Sequence, residues 1–402
     1  MNKKECLSYR DIWLFPLVAI APMGLDICIP GMTTIADNLN SSLGSVQWII
    51  SGFILCMSLG QLIFGPMVDR YGSHRIFVFG CGLYFCGSLA VFFSDSISIL
   101  ITVRLLQGLG ASAVAVSIFA SVPILFTGNT IGRVYSLFNG VISLVPVIAP
   151  IIGGALILGY GWKASFYFLA GFISICLALV LSKPLPSIKN KDTINIKSII
   201  SGYVQVMKYP KFRLGAIASS FGFASQLIFF SSSPIVIIDR FDIPVNEFGF
   251  YFAINAAAIT SGSLFVSYSL GKAKETSILL MGAGCLCIAA VGFMISSWLL
   301  KEHVLIWNYI IPATIGSFGF ALLMGAGASV ALSSFKTLSG TASALIAAIQ
   351  MSFSSLVAWI CIQFWSSDWL TMSICYFMLS VGITMSVLGF YRQPRYVAEY
   401  KE

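Results

Sequence analysis

A chain of 402 residues in which 58% are hydrophobic and only 9% charged cannot cover a soluble globule, whose composition normally includes roughly 25% charge. Its mean hydropathy of +0.92 calls for a solvent that accepts apolar side chains, and lipid is that solvent. The net charge of +8 is spread between hydrophobic segments rather than gathered into one patch, which argues against nucleic acid as a partner.

A membrane-crossing helix needs about 20 mostly apolar residues. In chain order such stretches lie at 12–36, 45–68, 75–93, 97–125, 131–159 and 162–182, and then at 211–238, 245–270, 275–298, 303–331, 338–365 and 368–391. Numbered as spans 1 to 12, they predict an all-α membrane protein of two six-helix bundles, residues 1–182 and 211–402, joined by a cytoplasmic linker at 183–210. The runs are long and continuous, which favours helices over the short alternating strands of a barrel. The first run follows Lys3, Lys4 and Arg10 without a small-residue cleavage signature, so it reads as a span and not as a removed signal.

Charge placement orients the spans. With the N-terminus cytoplasmic, 19 of the 23 Lys and Arg residues face inward and only Lys163, Arg240 and Lys301 face outward, with Arg104 left inside span 4. One span missed or invented would invert everything after it and destroy this bias, so both termini are predicted to be cytoplasmic.

Span 1 carries Asp26 in the run Gly24-Leu25-Asp26-Ile27-Cys28-Ile29-Pro30, deep within the span, whereas the other acids in predicted spans, Glu247, Glu275 and Asp368, stand within the first three residues of theirs. A carboxylate among apolar residues is expensive unless it faces protein or a water-filled cavity, and a group poised there can take a proton from one side and release it to the other. The plainer alternative is that Asp26 caps a helix broken beside Pro22 or Pro30. Between spans 2 and 3, Gly65-Pro66-Met67-Val68-Asp69-Arg70-Tyr71-Gly72-Ser73-His74-Arg75 predicts a close approach at Gly65, a sharp turn at Gly72 and an Asp69 that accepts from a neighbouring helix N-terminus. Arg70 and Arg75 mark the cytoplasmic side, as they would in any charged hairpin turn.

Arg104 lies near the outer end of span 4, in Arg104-Leu105-Leu106-Gln107-Gly108-Leu109-Gly110. It either snorkels to the interface as an anchor or points into the bundle, where it alters the proton affinity of Asp26 and donates to substrate or backbone. Span 5 holds Pro146, Pro150, Gly153 and Gly154, a combination that suits a bend with tight packing, whether static or moving. Lys183-Pro184-Leu185-Pro186 ends span 6, and Ile194 to Met207 reads as a short amphipathic helix whose lysines meet anionic headgroups on the inner surface. Isolated amides and aromatics within spans nominate cavity residues: Tyr135, Asn139, Gln226, Phe229, Phe230, Asn255, Asn308, Gln350, Phe353 and Trp359, although most such groups in a helical bundle serve packing.

The ten cysteines have neither zinc-site spacing nor disulfide-scaffold density, and Cys361 and Cys375 are among eight that lie in apolar runs as small hydrophobes. His74 and His303 fall in predicted loops, so neither a metal centre nor a cofactor is expected. An enzyme would need a nucleophile with its base or a phosphate-cradling Gly-Lys-Ser/Thr run, and neither is present in the sequence. No pore loop or charged ring suggests a channel.

Gly65 to Arg75 resembles the signature between the second and third helices of the major facilitator superfamily, and Arg104 to Gly110 resembles its fourth-helix arginine motif. Pro146 to Gly154 resembles the fifth-helix antiporter motif, and Leu25 to Pro30 resembles the first-helix motif of twelve-span drug–proton antiporters. Within that family the chain is most similar to the bicyclomycin and chloramphenicol resistance branch, through Phe229 to Pro234 and Ile311-Pro312 through Leu338-Ser339-Gly340. The resemblance implies proton-driven efflux of small, mostly apolar compounds, phenicol-type antibiotics among them, by a monomer in a bacterial inner membrane whose partners are substrate, protons and lipid. It carries proton coupling onto Asp26 and Arg104, and gating or conformational roles onto Gly65, Asp69, Arg70, Gly72, Arg75, Pro146, Pro150, Gly153 and Gly154. Cys28 stands where members often have tyrosine, His74-Arg75 where they have two basic residues, and Leu270 to Lys274 lacks the full acidic signature. A siderophore or metabolite exporter, or an importer or facilitator without proton antiport, would share the same architecture.

Overall fold

The computed structural model describes residues 12–126, 129–185, 196–245, 247–270, 272–298, 305–332, 339–364 and 369–391. Within them, twelve helical segments are long and apolar enough to cross a membrane: Leu14–Asn38, Leu43–Tyr71, Ser73–Phe93, Ile97–Val122, Gly140–Tyr160, Lys163–Ser182, Pro210–Arg240, Phe248–Ser269, Glu275–Trp298, Trp307–Leu332, Thr341–Gln363 and Leu370–Tyr391. These are spans 1 to 12, and the protein is an all-α membrane protein. Several helices outrun their apolar stretches, because a helix satisfies its own backbone wherever it ends. The extensions bring Asp37, Asp69 and Asp239 into spans 1, 2 and 7, all three exposed near span ends, and Glu275 opens span 9, so Asp26 is the acid that lies deep within a span among the described residues.

Span 1 is discontinuous. An α-helix covers Leu14–Asp26, a 3₁₀ turn covers Ile29–Gly31, and a second α-helix runs Met32–Asn38. Pro30 has no N–H to offer the carbonyl of Asp26 four residues earlier, so the regular ladder stops there. Span 7 changes character at Pro234 in the same way, and Ile235–Arg240 is wound as a π-helix.

The chain divides into two compact units, Met1–Ile194 with Pro234–Ala253 and Asn195–Ser233 with Ile254–Glu402. In the first unit span 3 pairs with spans 4 and 6, and in the second span 9 pairs with spans 10 and 12. The same glycine device serves both. A Cβ on Gly80 would sit 2.8 Å from the carbonyl oxygen of Gly110, and one on Gly110 would sit 2.7 Å from that of Gly80. Gly282 and Gly319 approach each other's carbonyls to 3.2 and 3.0 Å by the same measure. Lipid tails are as apolar as leucine, so close backbone packing takes over the work that water does in soluble cores.

The predicted linker helix is present as Ile196–Met207. Val206 and Tyr203 pack with Phe212, Ala216, Ala331, Ala342, Leu345 and Ile346 of the second unit. Ile200, Val204 and Met207 form an exposed apolar stripe beside that contact, the arrangement of a helix lying half on protein and half against lipid. Lys189 and Lys191 lie outside the described residues.

The glycine crossing in the first unit is directly testable. Gly80→Leu forces spans 3 and 4 apart and is expected to destabilise the detergent-purified protein by about 1–3 kcal/mol in a thermal melt. Gly82→Leu, whose Cβ would meet nothing within 4 Å, is expected to melt with the wild type. Equal melting of the two variants would contradict this packing.

Candidate functional site

Asp26 is the last residue of the first helical segment of span 1 and is 1% exposed. Its Oδ1 has no hydrogen-bond partner among the described residues. The break just after it is covered by span 5, where Gly153 lies against the carbonyl of Ile27 so closely that any side chain would collide with it. A Cβ on the adjacent Gly154 would lie 2.7 Å from the carbonyl oxygen of Val245, in the segment Pro234–Ala253 of the same unit. Both glycines therefore serve as close-contact points, and a single helix, Asn129–Tyr160, carries them together with Pro146 and Pro150.

Arg104 does not snorkel. It is fully buried, and its donors go to the backbone beside the break: Nε to the carbonyl of Ile49 at 2.9 Å and Nη1 to the carbonyl of Gly24 at 3.0 Å. Nη1 also donates to Gln107 Oε1 at 3.0 Å, Gln107 Nε2 donates to Ser88 Oγ at 2.8 Å, and Ser88 donates to the carbonyl of Tyr84 at 2.9 Å. The guanidinium carbon lies 4.3 Å from the ring centroid of Phe53 and 5.8 Å from that of Phe166. The charge is thus fixed by backbone dipoles and ring faces. Among the described residues no hydrogen bond or ion pair joins Arg104 to Asp26, so the direct pairing that the sequence left open is not made.

Tyr84 completes the cluster. Gly24 lacks the Cβ that would strike its hydroxyl, so span 3 presents this phenol to span 1 at the turn before Asp26. Cys28 is within electrostatic reach of both Asp26 and Arg104, and Tyr84 is within reach of Arg104 and Cys28. Three buried polar atoms in this one place, Asp26 Oδ1, Tyr84 Oη and Arg104 Nη2, make no hydrogen bond among the described residues. Each such atom costs about 1–3 kcal/mol, and an accumulation of them marks a place where a proton or a polar ligand group is handled.

Gln107 could have been found from the sequence, since it lies three residues after Arg104 on one helical face. Tyr84, Ser88, Phe53 and Phe166 carried no such signal.

At the other end of span 2, Gly72 has φ +88°, the turn the sequence required. Among the described residues a Cβ on Gly65 would meet nothing within 4 Å, so the close approach expected there is not seen, and Asp69 does not cap the helix that follows it. Asp69, Arg70 and Arg75 are exposed, and the Arg70 guanidinium lies 5.2 Å from the centroid of the Tyr71 ring.

Of the cavity candidates, Gln226 and Asn255 are brought together. Gln226 Nε2 donates to Asn255 Oδ1 at 3.0 Å, and Ser317 Oγ lies 2.6 Å from Gln226 Oε1 and 2.7 Å from Asn255 Oδ1. This buried network ties spans 7, 8 and 10 to one another. Phe229 stacks on Tyr309 at 6.1 Å and is tilted against Phe230, while Phe353 stacks on Phe221 at 4.9 Å. Gln350 is buried, with its carbonyl accepting from Ser354 at 2.6 Å, and the carbonyl of Asn308 accepts from Ser296 at 2.9 Å. Trp359 is half-buried. The side chains of Tyr135 and Asn139 lie outside the described residues.

Twelve membrane-length helices in two units, with a buried acid and a buried arginine at a helix break, define a polytopic membrane transporter. A model of the Major Facilitator Superfamily matches residues 14–358, and the chain belongs to that family. It is 26% identical over 342 residues to a chloramphenicol resistance protein of Pseudomonas aeruginosa, covering 84% of this chain and 80% of that one. It is 27% identical over 373 residues to the multidrug resistance protein MdtL of Shewanella oneidensis, covering 93% and 92%. A bicyclomycin resistance protein homolog of Haemophilus influenzae is 25% identical over 401 residues, with 97% of each chain covered.

Arg104→Lys keeps the charge but cannot reach the Ile49 and Gly24 carbonyls and Gln107 at once. Losing one charge-assisted bond costs about 1.5–3 kcal/mol. The variant is expected to melt below the wild type, and an unchanged melting temperature would refute the anchoring role.

Proposed function

We propose that this chain exports small, mostly apolar compounds in exchange for protons, with Asp26 as the group that carries the proton. The observation behind this reading is Asp26 Oδ1, buried at a helix break with no hydrogen-bond partner among the described residues, near an arginine whose bonds go elsewhere. Ionising a carboxyl at this depth is expensive, so the acid holds its proton while sealed from water. When the site opens to a compartment of lower proton activity and substrate enters it, the proton gives way to the substrate and leaves, and the fixed charge of Arg104 makes the resulting carboxylate tolerable. Because that charge is tied to the backbone around the break, loss of the proton changes the force on the break itself. A change of protonation is in this way converted into a bias between conformations.

The rest of the reading follows from resemblance. Residues 1–182 and 211–402 act as the two moving bundles, the linker at 183–210 as their tether, and both termini are cytoplasmic. Gly65, Asp69, Arg70, Gly72 and Arg75 act as a cytoplasmic gate, and Pro146 to Gly154 as the packing element that opens and closes over Asp26. The names of the relatives, with resistance to chloramphenicol, bicyclomycin and multiple drugs among them, support antibiotics of phenicol size as substrates and a bacterial inner-membrane location.

Purified protein in vesicles with an imposed pH gradient tests the reading against chloramphenicol, florfenicol and siderophores. The wild type is expected to concentrate a phenicol up to about tenfold per pH unit for one proton exchanged. Asp26→Asn is expected to insert and melt normally but to give only the accumulation of empty vesicles. Movement that ignores the gradient would remove the antiport assignment, and full coupling in Asp26→Asn would remove the site assignment.

A further inference from the structure

The linker helix Ile196–Met207 leaves an apolar face uncovered by the described residues. At about 100° per residue its described side chains sort into sectors around the axis. Gly202, Tyr203 and Val206 face protein: Tyr203 and Val206 pack with Phe212 and Ala216 of span 7, Ala331 of span 10 and Ala342, Leu345 and Ile346 of span 11, and a Cβ on Gly202 would lie 3.6 Å from Thr341. Ile200, Val204 and Met207 share a second sector and are 55%, 51% and 41% exposed. Ser201 and Gln205 lie beyond it, polar and exposed.

The depth of the helix follows from what it touches. Phe212 and Ala216 lie within six residues of the start of span 7 at Pro210, and Ala331 lies one residue before the end of span 10 at Leu332. Ala342, Leu345 and Ile346 lie within five residues of the start of span 11 at Thr341. Successive spans alternate in direction, so these three ends fall on the same membrane face. At roughly 1.5 Å per residue the helix is within about 9 Å of that face, where acyl chains meet headgroups. Apolar side chains exposed at that level meet acyl chains rather than water. Charge then selects the lipid. Between Asp192 and Asp239 the sequence holds Lys197, Lys208, Lys211 and Arg213 and no acid. Lys208 and Arg213 are exposed at the corner where the linker turns into span 7, with the Lys208 amide donating to the Gln205 carbonyl at 3.2 Å and the Arg213 amide to the Tyr209 carbonyl at 3.1 Å. A zwitterionic headgroup brings no net charge to this corner, and an anionic one does.

We propose that this corner binds an anionic phospholipid, its phosphate held by Lys208 and Arg213 and its acyl chains lying along Ile200, Val204 and Met207. Because another face of the helix is packed on spans 7, 10 and 11, an occupied site ties the linker to the second unit. The leaflet is the cytoplasmic one in the orientation proposed above, and only that assignment rests on the transport reading.

Delipidated, detergent-purified protein is titrated with phosphatidylglycerol, with phosphatidylcholine of the same acyl chains and with glycerol phosphate, and followed by thermal melting and native mass spectrometry. Phosphatidylglycerol is expected to raise the melting temperature and to stay bound, and the other two to do neither. The double variant Lys208→Gln, Arg213→Gln is expected to melt with the wild type before lipid is added, and to need about fivefold more phosphatidylglycerol for each charge removed. Equal stabilisation by phosphatidylcholine or by glycerol phosphate, or an unshifted midpoint in the double variant, would overturn the proposal. So would a lipid-independent dimer that shields the thiol of Val204→Cys from maleimide. Asp26 lies in the other unit and binding is read without substrate or gradient, so failure here leaves the proton reading untouched.

Discussion

The cost of placing a carboxyl halfway along a membrane span governs the first unit. Asp26 is the midpoint of Leu14–Asn38, where a charged side chain costs about 2.5–3.5 kcal/mol even on the mildest scale. The surrounding structure does not relieve that cost by ion pairing. It places the acid at the end of a helical segment, ends the regular ladder with Pro30, and ties the broken backbone to a second buried charge through the Gly24 carbonyl. Arg104 thereby acts as a brace on the main chain around the acid. Its bond to Ile49 extends the brace to span 2, and its bond to Gln107, which in turn donates to Ser88, extends it to span 3.

The glycines of span 5 belong to the same construction. Gly153 touches the chain at Ile27, one residue past Asp26, while Gly154 touches Val245. Both contacts are backbone to backbone, so they slide or part without a side chain having to change rotamer. Span 5 thus touches both the chain just after the acid and Val245 in the connection between spans 7 and 8, with Pro146 and Pro150 weakening the ladder of that helix one and two turns before the contact.

How much of this could be read in advance follows from what kind of information each feature needs. The twelve spans were legible because burial in lipid demands long apolar runs, and those runs are local in sequence. The break after Asp26 was legible in Pro30 and the turn at Gly72 in a residue that tolerates positive φ. The direction of Arg104 was not, because a span that is apolar all round does not say which face meets protein. Tyr84 was hidden for a related reason, since its place depends on the missing Cβ of Gly24, sixty residues away in sequence. The amides of Gln226 and Asn255 looked like cavity groups, and only packing reveals that with Ser317 they satisfy one another. Asp69 and Gly65 looked like contact residues because their spacing suits a neighbour, yet in this conformation neither meets one among the described residues.

The central claim is that Asp26 holds a proton while sealed and gives it up when substrate takes its place. Infrared difference spectroscopy of the purified protein with and without a transported compound reads this directly, through the C=O stretching band of a protonated carboxyl. The account predicts that substrate binding bleaches one such band in the wild type, releases a proton to a dye in the medium, and does neither in Asp26→Asn. A band that is absent before substrate arrives, or one that bleaches equally in the variant, would contradict it.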